Sequence, residues 1–275
     1  MNKEFALGMF IGTAIGDALG APLEFTQPNT GHPLRDMVGG GFHDTAVGEW
    51  TDDTAMMVCI ADAYLSFKDF APKIILNNFL NWKNHGEFGT RDYCFDIGIT
   101  TSDALSAASD SRPYGGSCAY KTDANGCIMR MAPHIIVNHR NKTQAIADSV
   151  AGAILTHGTS KCISYTAQLA DELFGGSTFG NKRHLDKGHS APDGSVMGCY
   201  ASAWDSINKT DNFEDAVVHA INKGGDADTV GAVTGMIAGR MYGYSSIPAR
   251  WIDKLVQHDE LLAMANDLYD LYEGE

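Results

Sequence analysis

Glycine recurs at every fourth residue in two places, Gly8, Gly12, Gly16 and Gly20, and again Gly231, Gly235, Gly239 and Gly243. In a helix this spacing keeps all four on one face, as a stripe without side chains. Each glycine costs a helix roughly 1 kcal/mol relative to alanine, so some interaction must offset it. Very close helix-helix approach does so, and the stripes predict that these two helices lie near each other in the core. Membrane helix pairs use the same spacing, but Asp17, Arg240 and the acidic surroundings make that the poorer explanation.

Helical periodicity fills most of the remaining chain. It marks 5–19, 54–68, 72–84, 95–109, 126–137, 142–156, 160–174, 196–208, 213–222, 229–242 and, with a break, 249–272. No strand alternation competes, and 8 prolines in 275 residues are few for a strand-and-turn protein. The expected fold is all-α, one compact multi-helix domain spanning 1–275. Pro72 suits a first helical turn, Asp211 is the expected N-cap of the helix at Phe213, and Gly175-Gly176 and Gly224-Gly225 terminate helices. Two long loops remain, 25–50 and 175–195, and loops of that length in a compact domain usually carry function. Within the second, Lys182, Arg183, His184, Lys187 and His189 read as a solvated face or as a rim for an anionic substrate.

Twenty Lys+Arg against 34 Asp+Glu give a net charge of -14, the wrong field for gripping nucleic acid through phosphates. Six scattered cysteines show no zinc spacing and fit reduced thiols in a cytoplasm. Lys3 followed by the apolar run Phe5 to Ile15 has the look of a secretory signal. Gly8, Gly12 and Asp17 interrupt that pattern and favour a core helix, and no membrane partner is expected.

Two acidic groups stand at expected helix starts: Thr51-Asp52-Asp53-Thr54 and Asp226-Ala227-Asp228-Thr229. Singly, each is most simply a helix cap. Together, four carboxylates with matched hydroxyls exceed what capping needs. Hard oxygen donors without neighbouring His or Cys suit Mg²⁺ or Mn²⁺, and two carboxylate pairs can hold two ions. Met56, Met57 and Cys59 read as core packing.

Gly12-Thr-Ala-Ile-Gly-Asp-Ala-Leu-Gly-Ala-Pro-Leu-Glu24, Trp50-Thr-Asp-Asp-Thr54, Asn125-Gly-Cys-Ile-Met-Arg130 and Gly224-Gly-Asp-Ala-Asp-Thr-Val-Gly231 occur in that order. In this the chain resembles the ADP-ribosylglycohydrolase family. Phe95-Asp-Ile-Gly98, Gly39-Gly-Gly41 and Ile247-Pro248 with Trp251 further resemble its bacterial branch, the dinitrogenase reductase-activating glycohydrolases.

The resemblance implies an orthogonal multi-helix fold around two divalent cations, Mg²⁺ or Mn²⁺, that removes ADP-ribose from a modified acceptor, with arginine on a protein as the leading acceptor. It implies metal ligands at Thr51, Asp52, Asp53, Asp226, Asp228 and Thr229. It places Glu24 beside the metals, Asn125, Gly126 and His157 near the diphosphate, and Asp96 at the acceptor guanidinium. Hydrolysis at an anomeric carbon passes through an oxocarbenium-like state that needs a positioned water and a route for the leaving group, so Glu24 and Asp96 are the proton-transfer candidates. Simpler readings stand beside these: Glu24 as a loop acid, Asp96 as a helix N-cap, Asn125-Gly126 as an ordinary turn and His157 as a residue answering a helix C-terminus. Two other functions remain open, a different binuclear-metal hydrolase and a non-catalytic ADP-ribose-binding relative.

Overall fold

A computed structural model describes residues 1–109, 113–119, 121–175 and 191–272. The described residues form an all-α fold: α1 (Lys3–Gly20), α2 (Asp52–Phe67), α3 (Pro72–His85), α4 (Ile99–Ala107), α5 (Ala132–Val137), α6 (Lys142–Ala153), α7 (Ser160–Phe174), α8 (Val196–Lys209), α9 (Phe213–Ile221), α10 (Ala227–Tyr242), α11 (Ala249–Ile252) and α12 (His258–Asp270). Short 3₁₀ turns follow α1 at Ala21–Leu23 and α10 at Tyr244–Ser246. The cationic cluster expected between Lys182 and His189 lies outside the described residues.

α1 and α10 run antiparallel with their backbones in contact. A Cβ added to Gly8 would stand 2.5 Å from the Gly239 carbonyl oxygen, and one on Gly12, Gly16 or Gly20 would collide with the carbonyls of Gly235, Gly231 or Ala227. The clashes are reciprocal, since a methyl on Gly231, Gly235 or Gly239 would meet the carbonyls of Gly16, Gly12 or Gly8. Only glycine permits this approach, and burial of the flanking residues offsets its propensity cost. Met9, Phe10, Ile11, Ile15, Val233, Met236 and Ile237 are all fully buried, each worth roughly 1.5–3 kcal/mol for a large apolar side chain. α1 is buried on every side from Gly8 to Gly20, as expected of a helix apolar all round. With its 3₁₀ extension it is the one segment among the described residues long and apolar enough to cross a membrane, and it lies inside the protein.

Several boundaries differ from the sequence expectation. The helix expected over 126–137 is confined to α5 because Pro133 lacks the N–H that a continuous helix would bond to Met129. The helix expected from 95 starts at Ile99, since Asp96 adopts a left-handed backbone with φ 59°. α6 stops at Ala153, short of the expected 156, and the last expected helix breaks at Gln257, also left-handed. Asn212 caps α9, accepting a hydrogen bond from the Asp215 N–H at 2.8 Å, and displaces Asp211 from that role. Pro72 sits in the first turn of α3 and Gly175 ends α7, as expected. All six cysteines are free thiols.

Because the obstacle at the α1–α10 contact is backbone, Gly12→Leu and Gly235→Leu should each lower stability by at least the 1–3 kcal/mol typical of overpacking, about, in thermal or urea unfolding. Gly31, with nothing within 4 Å of its Cβ position, provides the control: Gly31→Ala should stay within about 0.5 kcal/mol of wild type. Wild-type melting of both leucine variants would contradict the zipper.

Candidate metal and substrate site

The antiparallel register brings the last turn of α1 beside the first turn of α10, with Gly20 against Ala227. The approach to α10 runs through Gly224 and Gly225, both left-handed at φ 66° and 62°. Their amides and carbonyls are fixed by neighbouring strands of chain: Phe25 donates to the Gly225 carbonyl at 2.6 Å, and Gly225 donates to Thr26 at 2.9 Å. A side chain on Gly225 would collide with Pro192. This turn delivers Asp226 to the helix start.

α2 begins at the same place, and its cap comes from another helix. The buried carboxylate of Asp17, on α1, accepts from the Thr51 and Thr54 amides at 2.9 and 3.0 Å. It also accepts from the hydroxyls of Thr51 and Thr54 at 3.0 and 2.6 Å. Burial pushes Asp17 up to about 6, against the hydrogen bonds that pull it down. Neither Thr51 nor Asp226, the residues at the N-cap positions of α2 and α10, makes a side-chain cap bond. Capping therefore does not account for the acidic groups; Asp17 performs it for α2 and leaves Asp52 and Asp53 free for other work.

Both helices begin two residues earlier than expected, which places Asp52, Asp53 and Asp228 in first turns. Asp53, Asp228 and Thr51 are at most 2% exposed, and Glu24, Asp52 and Thr229 at most 7%. Single oxygens of Glu24, Asp226 and Asp228 lie within 4.8 Å of one another, as do single oxygens of Asp52, Asp96 and Asp228. Asp228 thus belongs to two adjoining groups. The Asp53 Oδ2 accepts from Thr51 at 3.3 Å and Thr229 at 3.4 Å, tying the two helix starts together.

No lysine or arginine among the described residues forms an ion pair with these six carboxylates. Burial first, then mutual repulsion, raises their pKa values: Asp226 to about 8, Glu24 to about 10, and Asp52, Asp53 and Asp96 well above the usual range. Buried oxygens of Glu24, Asp53, Asp96 and Asp228 have no hydrogen-bond partner. Unpartnered hard oxygens packed at this density fit divalent cations of the Mg²⁺ or Mn²⁺ type, whose charge would replace the missing counter-ions.

His43 joins this cluster without having been anticipated. Its Nε2 lies 2.8 Å from Asp96 Oδ1 and 3.1 Å from Glu24 Oε2. A loop-borne histidine has no periodic signature, so only the fold could place it. Asp96 is no helix cap, because Gly98 holds the N-cap position of α4. The segment bearing Asp96 is pinned through Arg91, which grips Glu49 with Nε at 2.7 Å and Nη2 at 2.8 Å. This fork holds the Glu49 carboxyl below its usual value.

Asn125 donates to Asp226 at 2.6 Å, so its side chain braces the acidic cluster. Gly126 faces His157, whose Cε1 and Nε2 lie 2.9 and 3.2 Å from a would-be Cβ. His157 is fully buried and hydrogen-bonded through Nδ1 to Thr156 at 2.8 Å; Arg130 donates to that same hydroxyl at 2.6 Å. Burial, then Arg130, lowers its pKa to about 3. A separate cavity of about 680 Å³, lined by Arg35, Lys209, Asp215 and Asn222 among others, includes none of these carboxylates.

The model of the ADP-ribosylglycohydrolase family matches residues 2–177 and 171–275. The chain is 34% identical to "ADP-ribosylarginine hydrolase Tri1" of Serratia proteamaculans, over 98% of this chain and 80% of that one. It is 28% identical to "ADP-ribosyl-[dinitrogen reductase] glycohydrolase" of Rhodospirillum rubrum, over 94% and 96%. A solved structure described as an "ADP-ribosylglycohydrolase-related protein complex" superposes with a TM-score of 0.84 at 32% identity, covering 98% of each chain.

The pKa shifts set a pH dependence. A carboxylate whose folded pKa exceeds its unfolded value of about 4 keeps its proton when folded and loses it when unfolded, so it subtracts stability as pH rises between the two values. For Asp17 that window ends near 6, for Asp226 near 8 and for Glu24 near 10. Calorimetry of metal-free protein should show Tm falling from pH 6 to 8, with Asp226→Asn flattening the fall. Added Mg²⁺ or Mn²⁺ should raise Tm more at pH 8 than at pH 6. A flat or rising metal-free profile would contradict the electrostatic account.

Proposed function

The chain belongs to the ADP-ribosylglycohydrolase family, and from that premise we propose that it is a divalent-cation-dependent hydrolase of the N-glycosidic bond between ADP-ribose and arginine on a protein. The observation that carries this reading is the junction of α1, α2 and α10, where four buried and two half-buried carboxylates gather without lysine or arginine partners among the described residues. Similarity along nearly the whole chain to proteins named as ADP-ribosylarginine hydrolases supports the choice of arginine.

In this reading Thr51, Asp52, Asp53, Asp226, Asp228 and Thr229 hold two ions. When bound, these supply the positive charge that orients ribose hydroxyls and activates a water. Asn125 fixes Asp226 by its side-chain amide, which keeps one ligand from turning away. The Asn125-Gly126 turn and His157 take the diphosphate, with the bare Gly126 backbone leaving room beside the ring. Asp96 offers the unpartnered Oδ2 to the guanidinium, where a carboxylate can accept charge-assisted hydrogen bonds. Glu24 faces the same space, its Oε2 3.1 Å from the His43 Nε2. The two carboxyls hold and return the proton that the leaving nitrogen requires, while burial keeps bulk water from competing for it. The chain acts as one domain in this scheme, with most of the buried apolar residues among the described ones in one continuous cluster.

Release of ADP-ribose from ADP-ribosyl-arginine tests the reading. Release should require Mg²⁺ or Mn²⁺, stop with chelator, and vanish in Asp52→Ala and Asp228→Ala while circular dichroism stays native. Asp96→Asn retains shape and one acceptor but loses the charge; its turnover should fall by about 10²-fold or more, with free ADP-ribose still bound. Full turnover in metal-free buffer, or preference for a serine-linked or acetylated substrate, would overturn the assignment.

A further inference from the structure

Phe25 and Phe42 are 62% and 72% exposed, although their sequence neighbours Glu24 and His43 lie in the site. The two rings meet edge to face at 5.0 Å and 85°, and Phe42 meets His43 in the same way at 5.0 Å and 85°. His43 in turn lies 5.8 Å from Phe95, the neighbour of Asp96. Phe25, Phe42, His43 and Phe95 therefore form a chain of ring contacts that meets the Glu24 and Asp96 carboxylates at His43. Phe25 stands outward on a left-handed backbone of φ 60°, a conformation unfavourable for a bulky side chain and one that clusters at ligand sites.

Exposed rings beside buried carboxylates select for one kind of ligand. A π-face attracts a cation, and a carboxylate attracts the same charge through hydrogen bonds. A guanidinium satisfies both together, because its plane can stack while its edge donates. The molecule already contains such an arrangement: the Arg91 guanidinium lies 4.1 Å from the centre of the Phe95 ring while its nitrogens fork onto Glu49.

We propose that Phe25 and Phe42 form the acceptor wall of the site, a stacking surface for the guanidinium of the ADP-ribosylated arginine while Asp96 and Glu24 take its hydrogen bonds. The inference rests on the arginine-hydrolase reading and adds the residues that discriminate a planar cation from other acceptors. The ADP-ribose half of the substrate lies beyond this wall, so the rings affect acceptor recognition and leave nucleotide binding alone.

The test compares wild type with the Phe25→Ala/Phe42→Ala double variant, both side chains being surface-exposed and outside the core. KM for ADP-ribosyl-arginine should rise about tenfold, as expected for the loss of two cation-ring contacts, while Kd for free ADP-ribose stays within about twofold. Phe42→Tyr, which keeps the π-face, should behave as wild type. An unchanged KM, or ADP-ribose binding weakened by the same factor, would overturn the wall.

A second readout does not depend on turnover: the affinity for agmatine, a guanidinium probe, with ADP-ribose saturating. Wild type should bind agmatine more tightly than cadaverine, a dication of similar length without the plane, and the double variant should lose that preference. Equal preference in both proteins would overturn the proposal. Ring-dependent agmatine binding in a wild type that releases no ADP-ribose would uphold the wall and remove the hydrolase reading.

Discussion

Direct backbone contact between α1 and α10 is the constraint on which the site depends. The Gly12–Gly235 and Gly16–Gly231 pairs leave no side-chain layer between the helices. The register they enforce puts the end of α1 beside the start of α10. Asp17 follows Gly16 directly, and from that position it binds both amides and both hydroxyls offered by Thr51 and Thr54. One helix pair thus positions the third. The capping requirement of α2 is met from α1, and its own first-turn carboxylates are not needed for it.

This arrangement stores electrostatic conflict. Asp53 and Asp228 are buried with unpartnered oxygens, and Asp226 is pushed up to about 8. Like charges in a low-dielectric interior cost more than helix packing repays unless a counter-charge or a proton enters. Residues around the cluster show a second kind of cost, with Phe25 and Asp96 both on left-handed backbone. Strain and repulsion at one junction, beside an otherwise apolar core, mark where the fold gives up stability for function.

The parts legible in sequence were those with a local period or a local chemical signature. Glycine every fourth residue reports a helix face, and the packing partner follows because two such faces exist. Paired acidic groups with hydroxyls report hard-oxygen donors regardless of the fold around them. What escaped was non-local or fell at helix boundaries. Asp17 read as an interruption of an apolar run, because its four hydrogen-bond donors lie 34 and 37 residues away. His43 and the Arg91–Glu49 fork sit on loops, where no periodicity marks them. Asp96 and Pro133 broke two expected helices through backbone geometry that apolar spacing does not register. Asn125 was expected at the diphosphate through resemblance; its side-chain bond to Asp226, 101 residues away, needed the folded chain.

The most direct measurement of the central claim is anomalous diffraction from crystals of the protein grown with Mn²⁺. Two peaks should appear at the junction of α1, α2 and α10, both within coordination reach of Asp228 and flanked by Asp52, Asp53 and Asp226. Crystals that diffract well, show these carboxylates ordered and contain no manganese among them would contradict the account.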